Sequence, residues 1–255
     1  MNNIKRLLLS HILLPVFLLA QPGNTPTDWG EDQLNGKVRT VYTESAKLVL
    51  QDGKMVEEGR KPDDEITYSP EGQRLKALRY DWKGNLSETT TYRIIEGDRT
   101  SKSELIRHPY DPPPGMAAPP QPNAPKWDDR YNVRHKRVFD EKGRLVELRV
   151  LLGNGEMTYR MTYKYDSKNS SVEEETYNRK GLLEWKTLQK LDHRGNVIEN
   201  VSFDPQGKIK YTETYSHEFD ENGNWTKRIT TLLEAKDLGK QPTPTRVEYR
   251  RIQYY

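Results

Sequence analysis

Apolar and polar residues alternate with a period of two through much of the chain, most clearly over residues 157–165. The apolar members share one side of an extended backbone, and the Thr, Arg and Lys residues between them share the other. The same spacing on a helix would scatter the apolar side chains around its surface. The pattern therefore predicts a half-buried β-strand. Its apolar members are Met157, Tyr159, Met161, Tyr163 and Tyr165.

A four-residue turn signal follows most of the predicted strands. It begins with Asp, Asn or Ser, ends with Gly or Asn, and follows an aromatic residue in seven of eight copies. The first side chain of a type I turn caps a nearby N–H, and the last residue accepts a positive φ, a role that Asn169 takes in one copy. The eight windows are 69–72, 81–84, 140–143, 166–169, 178–181, 192–195, 204–207 and 220–223.

Strands joined by such short turns are antiparallel neighbours. The first half of the chain shows looser versions of the same pattern, with strands predicted over 37–44 and 46–50 and a hairpin turn at 52–53. We therefore predict an all-β fold, an antiparallel β-meander of repeated hairpins that forms a single curved sheet. To cover its aromatic face, this sheet either curls into a partial barrel or docks on another surface, and the sequence leaves both open.

The start of the chain resembles a secretory signal. Lys5 and Arg6 precede an apolar stretch that ends at Ala20. The stretch from Leu7 to Leu19 has 13 positions, with Pro15 inside it, which is fewer than the roughly 20 that a membrane-spanning helix needs, so we expect cleavage after Ala20. The predicted organisation is a signal peptide at 1–20, a linker at 21–35, a β-repeat domain at 36–107 and 128–255, a Pro-rich exposed loop at 108–127 and an insertion at 232–245.

The charge balance and the cysteine content limit the cellular compartments and the kinds of binding partner that fit this chain. The 41 Lys and Arg residues nearly balance the 38 Asp and Glu residues, which leaves no net field to attract nucleic acid or an anionic membrane. The chain has no Cys, which excludes disulfides and thiol nucleophiles. Because animal secreted domains of this kind usually carry disulfides, we expect a bacterial periplasmic or extracellular location.

The repeated unit of aromatic, Asp, two variable residues, Gly, Asn or Arg, and an apolar residue is clearest at 80–86 and 139–145. It resembles the YD (RHS-type) repeat of bacterial secreted and surface proteins, over about residues 66–230. The resemblance implies strands that wrap into a shell, which in large members of that family encloses a toxin. The repeats here are shorter and less regularly spaced.

One arrangement offers a candidate binding site. Counting by twos from each turn places four acids on the aromatic face, where they would line a concave surface that holds a sugar or a cationic group. In the alternative interpretation these acids pair across strands with residues such as Arg149 and Lys227, or contact water. The candidate binding residues are Glu147, Glu173, Glu199, Glu213, Trp185, Tyr211, Tyr215 and Trp225.

Other motifs give no metal or cofactor site. The segment 220–224 resembles the start of a calcium loop, but Trp225 stands where that loop needs Gly, and Thr231 stands where it needs Glu. Neither a Gly-rich phosphate loop nor a nucleophile elbow is present in the sequence. We therefore predict no cofactor and no metal.

Three functional classes remain. The favoured one is an exported binding or structural module of the bacterial envelope that recognises a cell-surface glycan or an envelope protein through its aromatic face. The second is a carboxylate-dependent hydrolase, which leaves enzymatic activity open. The third is an outer-membrane barrel, which is disfavoured because Arg251 and Gln253 alternate towards the terminal Tyr255, where lipid-facing residues would be apolar. We expect no membrane span after removal of the leader, and the sequence leaves the oligomeric state open.

Overall fold

The computed structural model describes residues 27–95, 98–105, 132–235 and 242–255. The predicted signal peptide and the whole predicted Pro-rich loop lie outside these residues. One helical turn, α1 (Asp28–Glu31), precedes the strands of an all-β fold. The strands are β1 (Val38–Gln51), β2 (Lys54–Tyr68), β3 (Arg74–Tyr80), β4 (Leu86–Ile95), β5 (Asp98–Leu105), β6 (Asn132–Phe139), β7 (Leu145–Leu152), β8 (Met157–Asp166), β9 (Ser171–Asn178), β10 (Leu183–Leu191), β11 (Val197–Phe203), β12 (Ile209–Phe219), β13 (Trp225–Glu234) and β14 (Thr243–Tyr254).

Each strand pairs antiparallel with the strands before and after it in the chain, which confirms the predicted meander. In addition, β1 pairs with β14 as well as with β2. The sequence leaves open whether the sheet curls into a partial barrel or docks on another surface. The ring of pairings closes into a barrel. Closure leaves the sheet without unpaired edges and encloses one of its faces.

The predicted turns form as the local chemistry requires. In the first regular example the Gly84 N–H donates to the Asp81 carbonyl at 2.9 Å. Asp81 Oδ1 accepts from the N–H groups of Lys83 and Asn85, each at 2.8 Å. The turn at 166–169 differs from the prediction, since the positive φ of 46° belongs to Ser170 rather than to Asn169.

A β-bulge follows most of these turns. In the β6–β7 hairpin Phe139 pairs with Leu145 but Val138 pairs with Glu147, so Val146 is an extra residue in β7. An extra residue reverses the inward and outward alternation of the rest of the strand. A count by twos across the bulge therefore assigns side chains to the wrong face.

The inner face is identified by its contact with the chain before β1. Arg137 binds Glu31 of α1, and its direct partner in β7 is Leu148. Side chains of directly paired residues point to the same side, so the inner face can be followed from strand to strand. It carries one apolar cluster on β7–β9 (Leu145, Leu148, Val150, Met161, Tyr163 and Val172) and a second one around β1 (Leu34, Val38, Val41 and Tyr68).

Residues 27–37, called the end segment below, cover one end of the barrel by contacting hairpin turns there. The Asp28 N–H donates to the Gly72 carbonyl at 2.8 Å, and Gln33 Nε2 donates to the Gly195 carbonyl at 2.7 Å. The Asn35 N–H donates to Asn224 Oδ1 at 2.7 Å. This part of the predicted linker is therefore packed against the barrel.

Buried charges hold the end segment in place. Tyr68 Oη donates to Asp32 Oδ2 at 2.5 Å, and Arg74 Nε donates to the same oxygen at 2.7 Å. Arg137 pairs with Glu31 at 2.9 Å. Burial raises the pKa of Glu31, and the Arg137 charge opposes that shift. Each of these charges around the end segment thus has an opposite partner, as buried ions require.

Gly72 allows the end segment to approach this closely. Its φ is +83°, and a Cβ built there would lie 2.5 Å from Cε3 of Trp29. We expect Gly72→Ala to destabilise the fold by about 1–3 kcal/mol more than Gly155→Ala, because only the first substitution adds an overpacked contact. Gly155 is a matched control, with a φ of +85° and no atom within 4 Å of the added methyl. Urea unfolding measures both, and equal losses would contradict the close approach.

Candidate functional site

The inner face of β9–β12 combines polar and aromatic side chains. Successive direct partners along one row are Glu174, Thr187, Ser202 and Tyr211. The next row contains Gln189, Asn200 and Glu213. We call the following set the inner patch: Glu174, Thr187, Asn200, Ser202, Glu213, Trp185, Tyr211 and Tyr215.

Three of the four predicted acids lie outside the barrel, so the predicted acidic surface is wrong. Glu173 pairs with Lys164 at 3.0 Å and with Lys186 at 2.5 Å on the outer face. Glu199 pairs with Lys190 at 2.7 Å, and Glu147 pairs with Arg149 at 2.6 Å. The alternative interpretation, in which the acids pair across strands, is correct for Glu173 and Glu199, and Glu147 also has a cross-strand partner in Arg160 at 3.5 Å.

Two features of the hairpins explain the error. The bulges after the turns at 140–143 and 192–195 reverse the alternation before Glu147 and Glu199. In β9, Tyr177 itself faces outward, where it pairs with Arg160, and Glu173 shares its face. The aromatic residue before a turn is thus not always an inner residue, and the prediction that all these rings share one side is wrong.

The four predicted aromatic residues do reach the inner face, but they differ in accessibility. The rings of Trp185 and Tyr211 lie 5.8 Å apart between centroids, at 39° to each other. Trp225 is only 4% exposed and lies under Arg250, whose Cζ is 3.6 Å from the ring centroid. Trp185 and Tyr211 therefore form the usable aromatic surface of the inner patch.

Glu213 is the one predicted acid that faces the interior. Its Oε2 accepts a hydrogen bond from Tyr215 Oη at 2.7 Å and a long one from Asn200 Nδ2 at 3.5 Å. Burial and the nearby Glu213 charge raise the pKa of Tyr215. The phenol therefore stays protonated and keeps donating to the carboxylate.

Glu174 belongs to the site but was missed by the sequence analysis. Glu174 pairs with Tyr163 of β8 on one side and with Thr187 of β10 on the other, and it is 8% exposed. No hydrogen bond or ion pair reaches its carboxyl from the part of the chain that the structure describes. Burial alone raises the pKa of Glu174 to about 7. The only available signal was that Glu174 shares a face of the strand with Val172 and Thr176. That spacing does not reveal which face of the strand is enclosed.

Three buried polar atoms of the inner patch have no hydrogen-bond partner among the described residues. They are Thr187 Oγ1, Asn200 Oδ1 and Ser202 Oγ, in residues that are 6%, 4% and 0% exposed. Buried polar atoms are normally hydrogen-bonded to protein, to water or to a ligand. The inner patch therefore has spare hydrogen-bonding capacity beside its aromatic pair.

Comparison with known proteins supports the fold. No family model matches the chain, and no curated protein matches it. A porin-like protein from Bacteroides uniformis has a TM-score of 0.50 and 10% identity, with 91% of this chain and 100% of that chain covered. A DUF1329 family protein from Desulfovibrio piger has a TM-score of 0.31 and 9% identity, with 85% and 86% covered. At these identities the first likeness shows the fold alone, and the second carries no argument.

The described residues contain no group of three or more His, Asp or Glu side chains placed to hold a metal ion. The carboxylate of Asp220, at the start of the calcium-like segment, accepts from the Asn224 N–H at 2.8 Å and from Tyr254 Oη at 2.5 Å. These bonds stabilise a turn. Within the described ranges, no helix is long and apolar enough to cross a membrane.

Proposed function

We propose that the protein is an exported binding module of the bacterial envelope whose inner patch binds a hydroxyl-rich ligand such as a glycan. The observation that carries this proposal is that buried acceptors without a partner in the described part of the chain, Thr187 Oγ1 and Asn200 Oδ1, occur on the same inner face as the Trp185–Tyr211 ring pair. A sugar supplies hydroxyl donors for such acceptors and a C–H face for such rings. Sites for small ligands typically combine aromatic walls with a few placed polar groups.

Export is supported by the predicted leader at 1–20 and by the cysteine-free composition. The fold likeness to a bacterial porin-like protein is compatible with an envelope location. On the outer face, Lys186 pairs with Glu173, and Lys190 pairs with Glu199. Because a lipid-facing strand needs apolar residues at such positions, these pairs support an outer surface that contacts water.

The proposal is tested by screening the mature protein on a glycan array and titrating the best hit by calorimetry. Trp185→Ala should weaken binding about tenfold or more, because an aromatic pair adds about 0.5–1.5 kcal/mol to the loss of buried ring area. Trp82→Ala is the control, since Trp82 is 42% exposed in the turn after β3. Binding that survives Trp185→Ala, or that falls equally in Trp82→Ala, would remove the inner patch as the site.

A carboxylate-dependent hydrolase is the second candidate, and one observation favours it. Burial raises the pKa of Glu174 to about 7, which is the range of a general acid near neutral pH. The other carboxylate of the inner patch is Glu213, which lies on β12, two strands away from Thr187 on β10. Incubation of the array hit with the protein separates the two candidates. Product formation that Glu174→Gln abolishes without loss of binding identifies a hydrolase, whereas intact ligand supports a binding module.

A further inference from the structure

A second group of inner side chains lies on β13 and β14, next to the inner patch at Tyr215, whose ring centroid is 5.4 Å from Cζ of Arg228. It contains three arginines: Arg228, Arg246 and Arg250. Arg228 pairs in register with Glu248, and Arg246 pairs with Thr230. Arg250 faces Thr43 of β1, whose partner in β2 is Asp64. Three guanidinium groups are therefore enclosed in one sector of the barrel.

The acids of this sector are already engaged by other residues. Glu248 is bound by Arg228 Nε at 2.7 Å and by Arg246 Nη2 at 3.3 Å. Burial alone would raise the pKa of Glu248, but the adjacent Arg228 lowers it to about 2, so this carboxylate is fully charged. Arg246 also binds Asp63 at 2.5 Å. Glu248 and Asp63 thus each form ion pairs with Arg228, with Arg246 or with both.

Asp64 does not compensate Arg250 fully. Burial raises the pKa of Asp64, and the hydrogen bond from the Thr43 side chain opposes that shift. No hydrogen bond or ion pair joins Asp64 to Arg250 within the described part of the chain. Burial and repulsion by Arg228 lower the pKa of Arg250 to about 10, which still leaves it charged at neutral pH. The positive charge of this sector therefore exceeds what its own carboxylates neutralise by direct contact.

Arg250 has unused donors beside an aromatic support. Its guanidinium lies 3.6 Å from the centroid of Trp225, and Arg228 lies 4.7 Å from the same centroid. Arg250 Nε and Nη1 are buried and have no hydrogen-bond partner among the described residues. A buried, charged donor without a partner is costly, and an oxyanion is the group that satisfies guanidinium best.

We propose that Arg250, supported by Trp225 and flanked by Arg228, forms an oxyanion subsite that binds a carboxylate or a phosphate group. The subsite stands independently of the inner patch, because no residue of the inner patch supplies its donors. Its ligand is an anionic small molecule or the acidic group of a larger one. A carboxylate and a phosphate each present a pair of oxygen atoms that can accept two parallel hydrogen bonds from a guanidinium.

The test uses inorganic phosphate, glucuronate and uncharged glucose as probes, titrated by calorimetry into the mature protein. Phosphate, glucuronate or both should bind through Arg250, whereas glucose should not, and the preference between the two anions identifies the source of the oxyanion. Arg250→Met should weaken anion binding about 10- to 100-fold, the usual effect of losing hydrogen bonds to a charged group. Arg149→Met is the control, since Arg149 pairs with Glu147 on the outer face.

Arg250→Lys provides a second variant if Arg250→Met fails to fold. It retains the positive charge but lacks the Nε and Nη1 donors, so it should also lose anion affinity while its thermal unfolding stays cooperative. Absence of binding by both anions at millimolar concentration would overturn the proposal. Unchanged affinity in a folded Arg250 variant would overturn it as well.

Discussion

Asp32→Asn should destabilise the protein by about 3–5 kcal/mol, the usual cost of removing one partner from a buried ion pair. Asp32 accepts from Tyr68 Oη at 2.5 Å and from Arg74 Nε at 2.7 Å. The Arg74 and Asp32 side chains are only 12% and 11% exposed, and Tyr68 is 1% exposed. An amide leaves the Arg74 charge buried without its counter-ion. Denaturant unfolding measures the loss.

The end segment should respond first to this substitution. Trp29 Nε1 donates to the Val38 carbonyl at 2.8 Å and reports on the attachment of the end segment to β1. Exchange of this indole hydrogen should accelerate in Asp32→Asn. Glu199→Gln removes an ion pair whose side chains are 54% and 30% exposed, so it should cost about 1 kcal/mol or less. If both variants lose the same stability, the buried charges do not hold the barrel end.

The turns and the meander follow from the sequence because their causes are local. An Asp or Asn and a Gly three positions later contain the whole hydrogen-bonding pattern of a turn such as 81–84. Alternation then identifies a strand without reference to its neighbours. The antiparallel order follows from the short connections alone.

The identity of the inner face depends on non-local features that the sequence pattern does not contain. The bulge at Val146 moves Glu147 outward, although Leu145 stays inward in the apolar cluster. Barrel closure depends on pairing between β1 and β14, which are separated by almost the whole chain. Three of the four candidate acids are therefore predicted on the wrong face, whereas Glu213, Trp185 and Tyr211 are predicted on the correct one.

Glu174→Gln should change how stability depends on pH. The ordinary pKa of Glu is 4.5, and burial raises the pKa of Glu174 to about 7 in the folded state. The folded protein therefore binds this proton more tightly than the unfolded chain does. The stabilisation of the folded state that comes from proton binding by Glu174 is fully present below pH 4.5 and is lost as the pH rises through 7. The difference between the two pKa values corresponds to about 3 kcal/mol.

Gln is neutral at every pH and has nearly the same shape, so Glu174→Gln should gain about 3 kcal/mol relative to the natural protein between pH 4.5 and pH 8. Denaturant unfolding at both pH values measures this gain, and any pH-independent effect of the amide cancels. Glu175→Gln is the control, because Glu175 is the outer neighbour of Glu174 and contacts Lys164 at 3.5 Å. Parallel pH profiles for Glu174→Gln and the natural protein would show that Glu174 is not buried as a carboxylic acid.

His217 contributes to the same pH range with the opposite sign. Burial and the Arg228 charge lower the pKa of His217 from 6.5 to about 4, so its contribution to stability is lost as pH falls from 6.5 to 4. In the natural protein the two groups oppose each other between pH 4.5 and 6.5. Glu174→Gln should therefore expose a profile in which stability rises with pH over that range. Adding His217→Phe should flatten it again, since Phe retains the ring among Tyr215, Phe219 and Trp225 without a titrating group.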